Sequence, residues 1–285
     1  MEKSGSWFIE MFDNGEAGGL SFREDEVLFD KRSPYQRIRV VSNPFLGRVM
    51  LLDDIVMLTE KDEFFYHEML VHVPMACTRD PGSVLIVGGG DGGSAREMLK
   101  HSGLKRLVLC EIDAMVIEAA REFFPGLSSG LDDSRVEIVI ADGIEYVKAH
   151  KNEFDCICID STDPVGPGAG LFSAEFYGSV RDALTHEGAM SAQTESPAWD
   201  MDLVASIAGT MRRAFGNVHL YTMPVPCYPS GMWSCALCLK KDLDPARDFD
   251  HDRAELASRS CRYYNPDIHR ACFALPGFMR RSLRL

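Results

Sequence analysis

No stretch of this 285-residue chain stays apolar over the ~20 residues that a membrane-spanning helix requires. Its apolar runs are short and interrupted, as at Val84–Val87 and Leu107–Cys110, and predict no membrane association. Basic charge is also scarce: 30 Lys and Arg stand against 43 Asp and Glu, a net charge of -13. A nucleic-acid surface needs the opposite balance, so DNA and RNA are not expected partners. An acidic field draws cationic ligands, but net charge by itself says no more than solubility. The opening MEKSGSWFIE lacks the apolar core and small-residue cleavage site of a secretory signal, so the expected location is the cytoplasm. Internal repeats and low-complexity tracts are absent as well.

The nine cysteines lack a metal-binding arrangement. Their number is odd and no export signal accompanies them, which predicts reduced thiols. Cys156 and Cys158 lie in the apolar run Cys-Ile-Cys-Ile, which reads as a buried strand. Cys235 and Cys238 form a CxxC inside the strand-like WSCALCLK. In a strand, positions i and i+3 face opposite sides, so this pair needs a turn before it can share an ion. Both pairs read as packing, and no metal is expected.

What is present is a change of pattern along the chain. Up to about residue 60 the strand candidates are Val27–Asp30, Gln36–Val41 and Arg48–Leu52. They are separated by the turn signals Asp13-Asn-Gly, Ser33-Pro34, Asn43-Pro44 and Asp53-Asp54. This predicts a small antiparallel β domain over residues 1–60. Phe64, Phe65, Met69, Leu70 and Val73 then recur at helical spacing after Thr59. From Ser83 apolar strands without a polar face alternate with helices: Val84–Val87, Leu107–Ile112, Val136–Ile140 and Phe154–Ile159. That alternation predicts an α/β domain over residues 61–285, a Rossmann-like parallel sheet covered by helices. From Asp242 the chain reads as polar and irregular, with a short helix and a tail.

Ligands of such sheets bind beyond the carboxyl ends of the strands. Four successive ends carry acids here: Gly88-Gly-Gly-Asp91-Gly-Gly93, Glu111-Ile-Asp113, Ala141-Asp142-Gly143 and Asp160-Ser-Thr-Asp163-Pro. The glycine loop suits a dinucleotide or an S-adenosyl-sulfonium ligand. Asp91 inside it would repel a pyrophosphate or carboxylate by ~4 kcal/mol at ~4 Å and an effective dielectric of ~20. It therefore argues for a cationic group, unless it points to solvent or caps the helix. Glu111, about 20 residues beyond the loop, suits the two ribose hydroxyls. Asp113 suits a helix N-cap, and Asp142 suits either an adenine amine or a cap. Asp160 and Asp163 would repel one another and Asp91 without a cation between them.

Together these motifs resemble the spermidine synthases, the polyamine aminopropyltransferases. The resemblance extends to Ser33-Pro-Tyr-Gln36, Leu51-Leu-Asp-Asp, Thr59-Glu-Lys-Asp-Glu-Phe-Phe-Tyr66-His67-Glu68 and Tyr228-Pro-Ser-Gly231, and covers about Trp7 to Leu239. It implies a β domain before a Rossmann-like methyltransferase-type domain, in a homodimer or homotetramer. It implies aminopropyl transfer from decarboxylated S-adenosylmethionine, a co-substrate, to putrescine, with no cofactor and no metal. Gln36, Glu111, Asp142 and Gly143 resemble the residues that hold the donor nucleoside, and Pro167 one that closes over it. Asp91 resembles the carboxylate for the aminopropyl amine. Tyr66, His67, Asp163 and Tyr228 resemble the groups around the polyamine, and Asp160 the proton acceptor. Asp160–Phe172 resembles a closing loop. Met57 departs from the family, which often has Gln there to contact the far amine. From the residues alone, Tyr66 and His67 read as part of a core-facing aromatic helix, and Tyr228 as a turn residue. The rival readings are a methyltransferase using intact S-adenosylmethionine, a nicotinamide dehydrogenase and a non-catalytic polyamine binder.

Overall fold

The computed structural model describes residues 6–12, 18–163 and 166–285, and the predicted Asp13-Asn-Gly turn lies outside them. The N-terminal part forms two antiparallel sheets. β1 (Ser6–Phe12) pairs with β2 (Gly18–Glu24). The second sheet runs in order through β3 (Glu26–Arg32), β4 (Arg37–Asn43), β5 (Gly47–Leu52) and β6 (Ile55–Thr59). Sequence reading found β3, β4 and β5 and missed the other three strands. Its turn signals have local causes. Asp53 and Asp54 take φ of 47° and 63° between β5 and β6, the mirror-image turn that matches strand twist. Asn43 Oδ1 accepts from the N–H of both Phe45 and Leu46, at 2.8 Å each.

α1 (Glu63–Cys77) follows, later than Thr59 suggested: Thr59 Oγ1 bonds Asp62 Oδ1 and closes a turn ahead of the helix. All of α1 except Phe65 is buried, its Glu63, His67, Glu68 and His72 included. Next come β7 (Ser83–Gly88), α2 (Gly93–Met98), β8 (Arg106–Glu111), α3 (Ala114–Phe123), α4 (Pro125–Ser128), β9 (Val136–Ile140) and α5 (Gly143–Ala149). The chain continues through β10 (Phe154–Asp160), α6 (Ala174–Ala183), β11 (Leu184–Gln193), α7 (Met201–Ala214), β12 (Asn217–Pro224) and β13 (Met232–Leu239). The seven strands lie in the order β12-β13-β11-β10-β7-β8-β9. β11, β10, β7, β8 and β9 are parallel, and β12 and β13 add an antiparallel edge. This is the expected α/β class: a Rossmann-like sheet domain preceded by a small antiparallel β domain. The order reverses at β7, so the binding crevice falls between β7 and β10.

The sheet buries one face against α1 and the other against α5, α6 and α7. Cys235 packs on the first face and Cys238 on the second, as their spacing predicted. A third cluster joins the two parts of the chain, with Ile38, Val40 and Met50 of the small sheet against Ala119, Ala120 and Phe124. No helix among the described residues is long and apolar enough to cross a membrane.

The C-terminal segment is more ordered than its composition suggested. It forms α8 (His251–Ser258), α9 (Pro266–Cys272) and α10 (Gly277–Leu283). Glu68, buried on α1, anchors it by accepting from the N–H of Arg262, Tyr263 and Tyr264, at 2.8 Å each. Glu68→Ala leaves these donors unpaired and is expected to cost about 2 kcal/mol of stability, read by urea denaturation.

Candidate active site

Four of the acids predicted at strand ends, Asp91, Glu111, Asp142 and Asp160, converge on the β7–β10 crevice. Gly88 turns the chain at a φ of 82°, and a Cβ there would meet the Asp160 carbonyl oxygen at 2.1 Å. Gly89 N–H donates to that same oxygen at 2.9 Å, so the glycine loop and the end of β10 are fixed to each other.

Glu111 accepts from Gly90 N–H (3.1 Å) and Asp113 N–H (2.9 Å). Burial pushes its carboxyl up to about 7 against these bonds. Asp113 caps α3 through Met115 N–H, as predicted. It also accepts from Ser33 Oγ (2.6 Å) and Gln36 Nε2 (3.0 Å), which ties the small sheet to the Rossmann-like domain. Asp142 caps α5 through Ile144 N–H (2.8 Å) while facing the cavity, so its two readings are compatible. Gly143 has no room for a side chain: a Cβ would meet Val87 Cγ1 at 2.4 Å. The Pro167 side chain, like residues 164–165, lies outside what is described.

Asp160 accepts from Ser94 Oγ at 2.6 Å and from the Tyr66 hydroxyl. Burial, and then the nearby Asp91 charge, push its carboxyl up to about 6. Burial and Asp160 hold the Tyr66 phenol protonated well above its usual range. Tyr66 is thus a hydrogen-bond donor to Asp160 and no candidate base.

Asp91 caps the start of α2 through Gly93 N–H (2.7 Å) and faces His67 Nε2 at 3.3 Å. The other ring nitrogen of His67 meets Glu63 at 2.7 Å. Burial disfavours charge on His67, but Asp91 and Glu63 outweigh it and raise its pKa well above the usual value. Burial likewise works to raise Asp91, yet His67 holds it below the ordinary carboxylate range. Two expectations change here. The acids are not left facing only one another: His67 stands among them, with its pKa held above the ordinary imidazole range. His67 itself spends both nitrogens on carboxylates.

Asp163 does not pair with Asp160. It sits with Gln193 and Glu195 in a second lobe, which also holds Glu10. Burial and then Asp163 push the Glu195 carboxyl up to about 9. Tyr66, Met57, Ser161 and Tyr228 line both lobes. Tyr228 donates to the Met57 carbonyl at 2.7 Å, a bond independent of the Met57 side chain. The larger lobe is about 160 Å³ and holds Gln36, Asp91, Glu111, Asp142, Gly143 and Asp160. The smaller, about 70 Å³, suits only a slender ligand.

Sequence reasoning missed Glu10, Glu195, Ser94 and Glu63. Glu195 had a signal, lying just beyond the carboxyl end of β11, the next parallel strand. Glu10 had another: β1 inverts the usual alternation, with Phe8 and Glu10 inward and Trp7, Ile9 and Met11 outward.

A model of the spermine/spermidine synthase domain matches residues 63–250, and one of the spermidine synthase tetramerisation domain matches residues 6–60. The polyamine aminopropyltransferase of Thermotoga maritima is 46% identical over 280 residues, 98% of this chain and 94% of that one. That of Moorella thermoacetica is 44% identical over 279 residues, 98% and 96% of the two chains. A spermidine synthase solved with the transition state analogue AdoDATO superposes with a TM-score of 0.95 at 44% identity, covering 100% of this chain and 98% of its own. The Thermotoga maritima spermidine synthase structure gives 0.92 at 43%, with coverage of 100% and 97%. With a strand order, a glycine loop and strand-end acids to match, the chain belongs to the spermine/spermidine synthase family of enzymes.

Proposed function

We propose that the protein transfers the aminopropyl group of decarboxylated S-adenosylmethionine to putrescine, giving spermidine and 5'-methylthioadenosine. The observation that carries this reading is Asp91, a carboxylate fixed at the glycine loop by Gly93 N–H, held below its ordinary range and lining the same cavity as Glu111 and Asp142. An ammonium is attracted there, and the carboxylate of the intact donor is repelled. Glu111 and Asp142 suit the ribose hydroxyls and the adenine amine, with Gln36, Gly143 and Pro167 around them. A related spermidine synthase of the same fold holds a transition state analogue, which supports one site for donor and acceptor.

The acceptor lies across Tyr66 and Tyr228, its far ammonium among Asp163, Glu195 and Glu10. Its near nitrogen is the obstacle: an alkyl ammonium titrates near ~10.4, so about one in a few thousand is free at pH 7. Asp160 takes the proton. The freed nitrogen lone pair attacks the propyl carbon, the carbon–sulfur bond breaks, and its electron pair neutralises the sulfonium. Held close together, the reactants gain further rate from orientation. The reaction calls for no resident cofactor or metal.

The nine unpaired thiols suit the reducing cytoplasm. A homodimer or homotetramer is the proposed assembly, because Trp7, Ile9 and Met11 are 67%, 56% and 60% exposed along one face of β1. A monomer in sedimentation would remove that part. The activity is tested with purified protein, putrescine and either the decarboxylated or the intact donor. Spermidine and methylthioadenosine from the former alone are expected; methyl transfer, or no turnover, sinks the reading.

A further inference from the structure

Behind His67 stand two charged groups that the chemistry above leaves unused, Glu63 and Arg96. Glu63, in the first turn of α1, lines neither lobe. Arg96 of α2 grips it with two bonds, Nη1 to Oε1 at 3.1 Å and Nη2 to Oε2 at 2.8 Å. Oε2 is the oxygen that also meets His67 Nδ1. The far nitrogen of His67 faces Asp91, and ligand atoms of His67, Asp91 and Asp160 all lie within 4.8 Å of one another. The ring has no freedom to leave this line: a Cβ on Gly93 would fall 2.4–2.6 Å from three of its atoms.

We propose that Glu63 is a positioning residue, which with Arg96 keeps His67 as an imidazolium against Asp91 and so allows Asp91 and Asp160 to be ionised together. Two carboxylates this close cannot both ionise in a buried site without a cation. His67 is that cation before any ligand arrives. The groups facing it are Glu63 on its own helix, Asp91 of the glycine loop and Asp160 at the end of β10; Arg96 reaches it only through Glu63. The groups facing Asp160 are Asp91, His67, Ser94 and Tyr66. When His67 is neutral the carboxylate pair takes up a proton, and it goes to Asp160, whose carboxyl already sits above its ordinary range.

This rests on the aminopropyl-transfer reading for its kinetic consequence but not for its direct test. Imidazole NMR of the ligand-free protein, with His67 assigned by the spectrum of His67→Asn, is expected to show His67 protonated at pH 7.5. In Glu63→Gln it is expected to be neutral there. A wild-type His67 that titrates near ~6.5 like a free imidazole overturns the proposal, whether or not any variant folds and whether or not the transfer reaction occurs. Kinetically, the acid limb of kcat/KM in Glu63→Gln is expected to move up by about one to three pH units, with the rate recovering by pH 9. A loss equal at every pH marks Glu63 as merely structural and overturns it too.

Discussion

Asp160→Asn is expected to lower kcat for aminopropyl transfer by about 10²–10⁴-fold at pH 7, with the donor still bound. The amide cannot accept the proton of the acceptor ammonium, and no neighbour replaces it. Tyr66 is a phenol held protonated, Ser94 is a neutral donor to the same carboxylate, and Asp91 is engaged by His67 and Gly93. The pH dependence makes the role specific. Asp160, pushed up to about 6, is active as a base only when ionised. Wild-type kcat/KM therefore rises with pH through about 6. The bound donor brings a sulfonium and an ammonium, both of which favour the carboxylate, so the corresponding limb of kcat lies at lower pH. In the variant this limb disappears. Its rate instead climbs toward the ~10.4 of the amine, where solvent removes the proton. Stopped assays from pH 5 to 10 measure both. A variant with a near-normal rate at pH 7 removes Asp160 as the base.

The acids at the ends of β7, β8, β9 and β10 were legible because a parallel sheet delivers every strand end to one edge, so sequence adjacency to a strand already places the residue. Glu111, Asp142 and Asp160 needed nothing more. Glu10 was not legible in this way; Glu195, just past the parallel strand β11, could have been read so and was not. Glu10 reaches the site from an antiparallel hairpin, whose placement depends on packing of the small sheet against the rest of the chain. Glu195 stands past β11, with a φ of 75° that a pattern of side chains does not reveal. His67 shows a different limit. Helical spacing identified a buried face on α1, but the 3.6-residue period cannot tell a packed ring from a charged one; that depends on Glu63 one turn back and Asp91 across a gap in sequence. β1 was missed because apolar residues lie on both of its faces, Phe8 inward and Trp7, Ile9 and Met11 outward, so it shows no apolar–polar alternation. Of the C-terminal helices the sequence suggested only one, because the segment is polar in composition and part of its order comes from backbone bonds of Arg262, Tyr263 and Tyr264 to one carboxylate on α1.

The second large effect concerns the choice of donor. Asp91→Asn is expected to reduce kcat/KM for the decarboxylated donor by about 10²-fold, the loss of about 3 kcal/mol from a charge pair in a partly desolvated pocket. The change is close to isosteric, so the oxygen of the new side-chain amide still accepts from Gly93 N–H and the turn at the start of α2 survives. What disappears is the charge that faces both the donor ammonium and His67. The same substitution acts with opposite sign on intact S-adenosylmethionine. Its carboxylate meets Asp91 in the wild type and is repelled; with a neutral amide in that place the repulsion ends, and the adjoining His67 becomes available as an attractive partner. The intact donor is therefore expected to bind the variant more tightly than the wild type, while the decarboxylated donor binds less tightly. Titration calorimetry with the two donors, each against both proteins, gives four affinities and one coupling energy. A crossing of the two trends assigns donor choice to the charge of Asp91. Equal losses for both donors would mean that the glycine loop has lost its shape, and that selection of the decarboxylated tail lies elsewhere in the cavity.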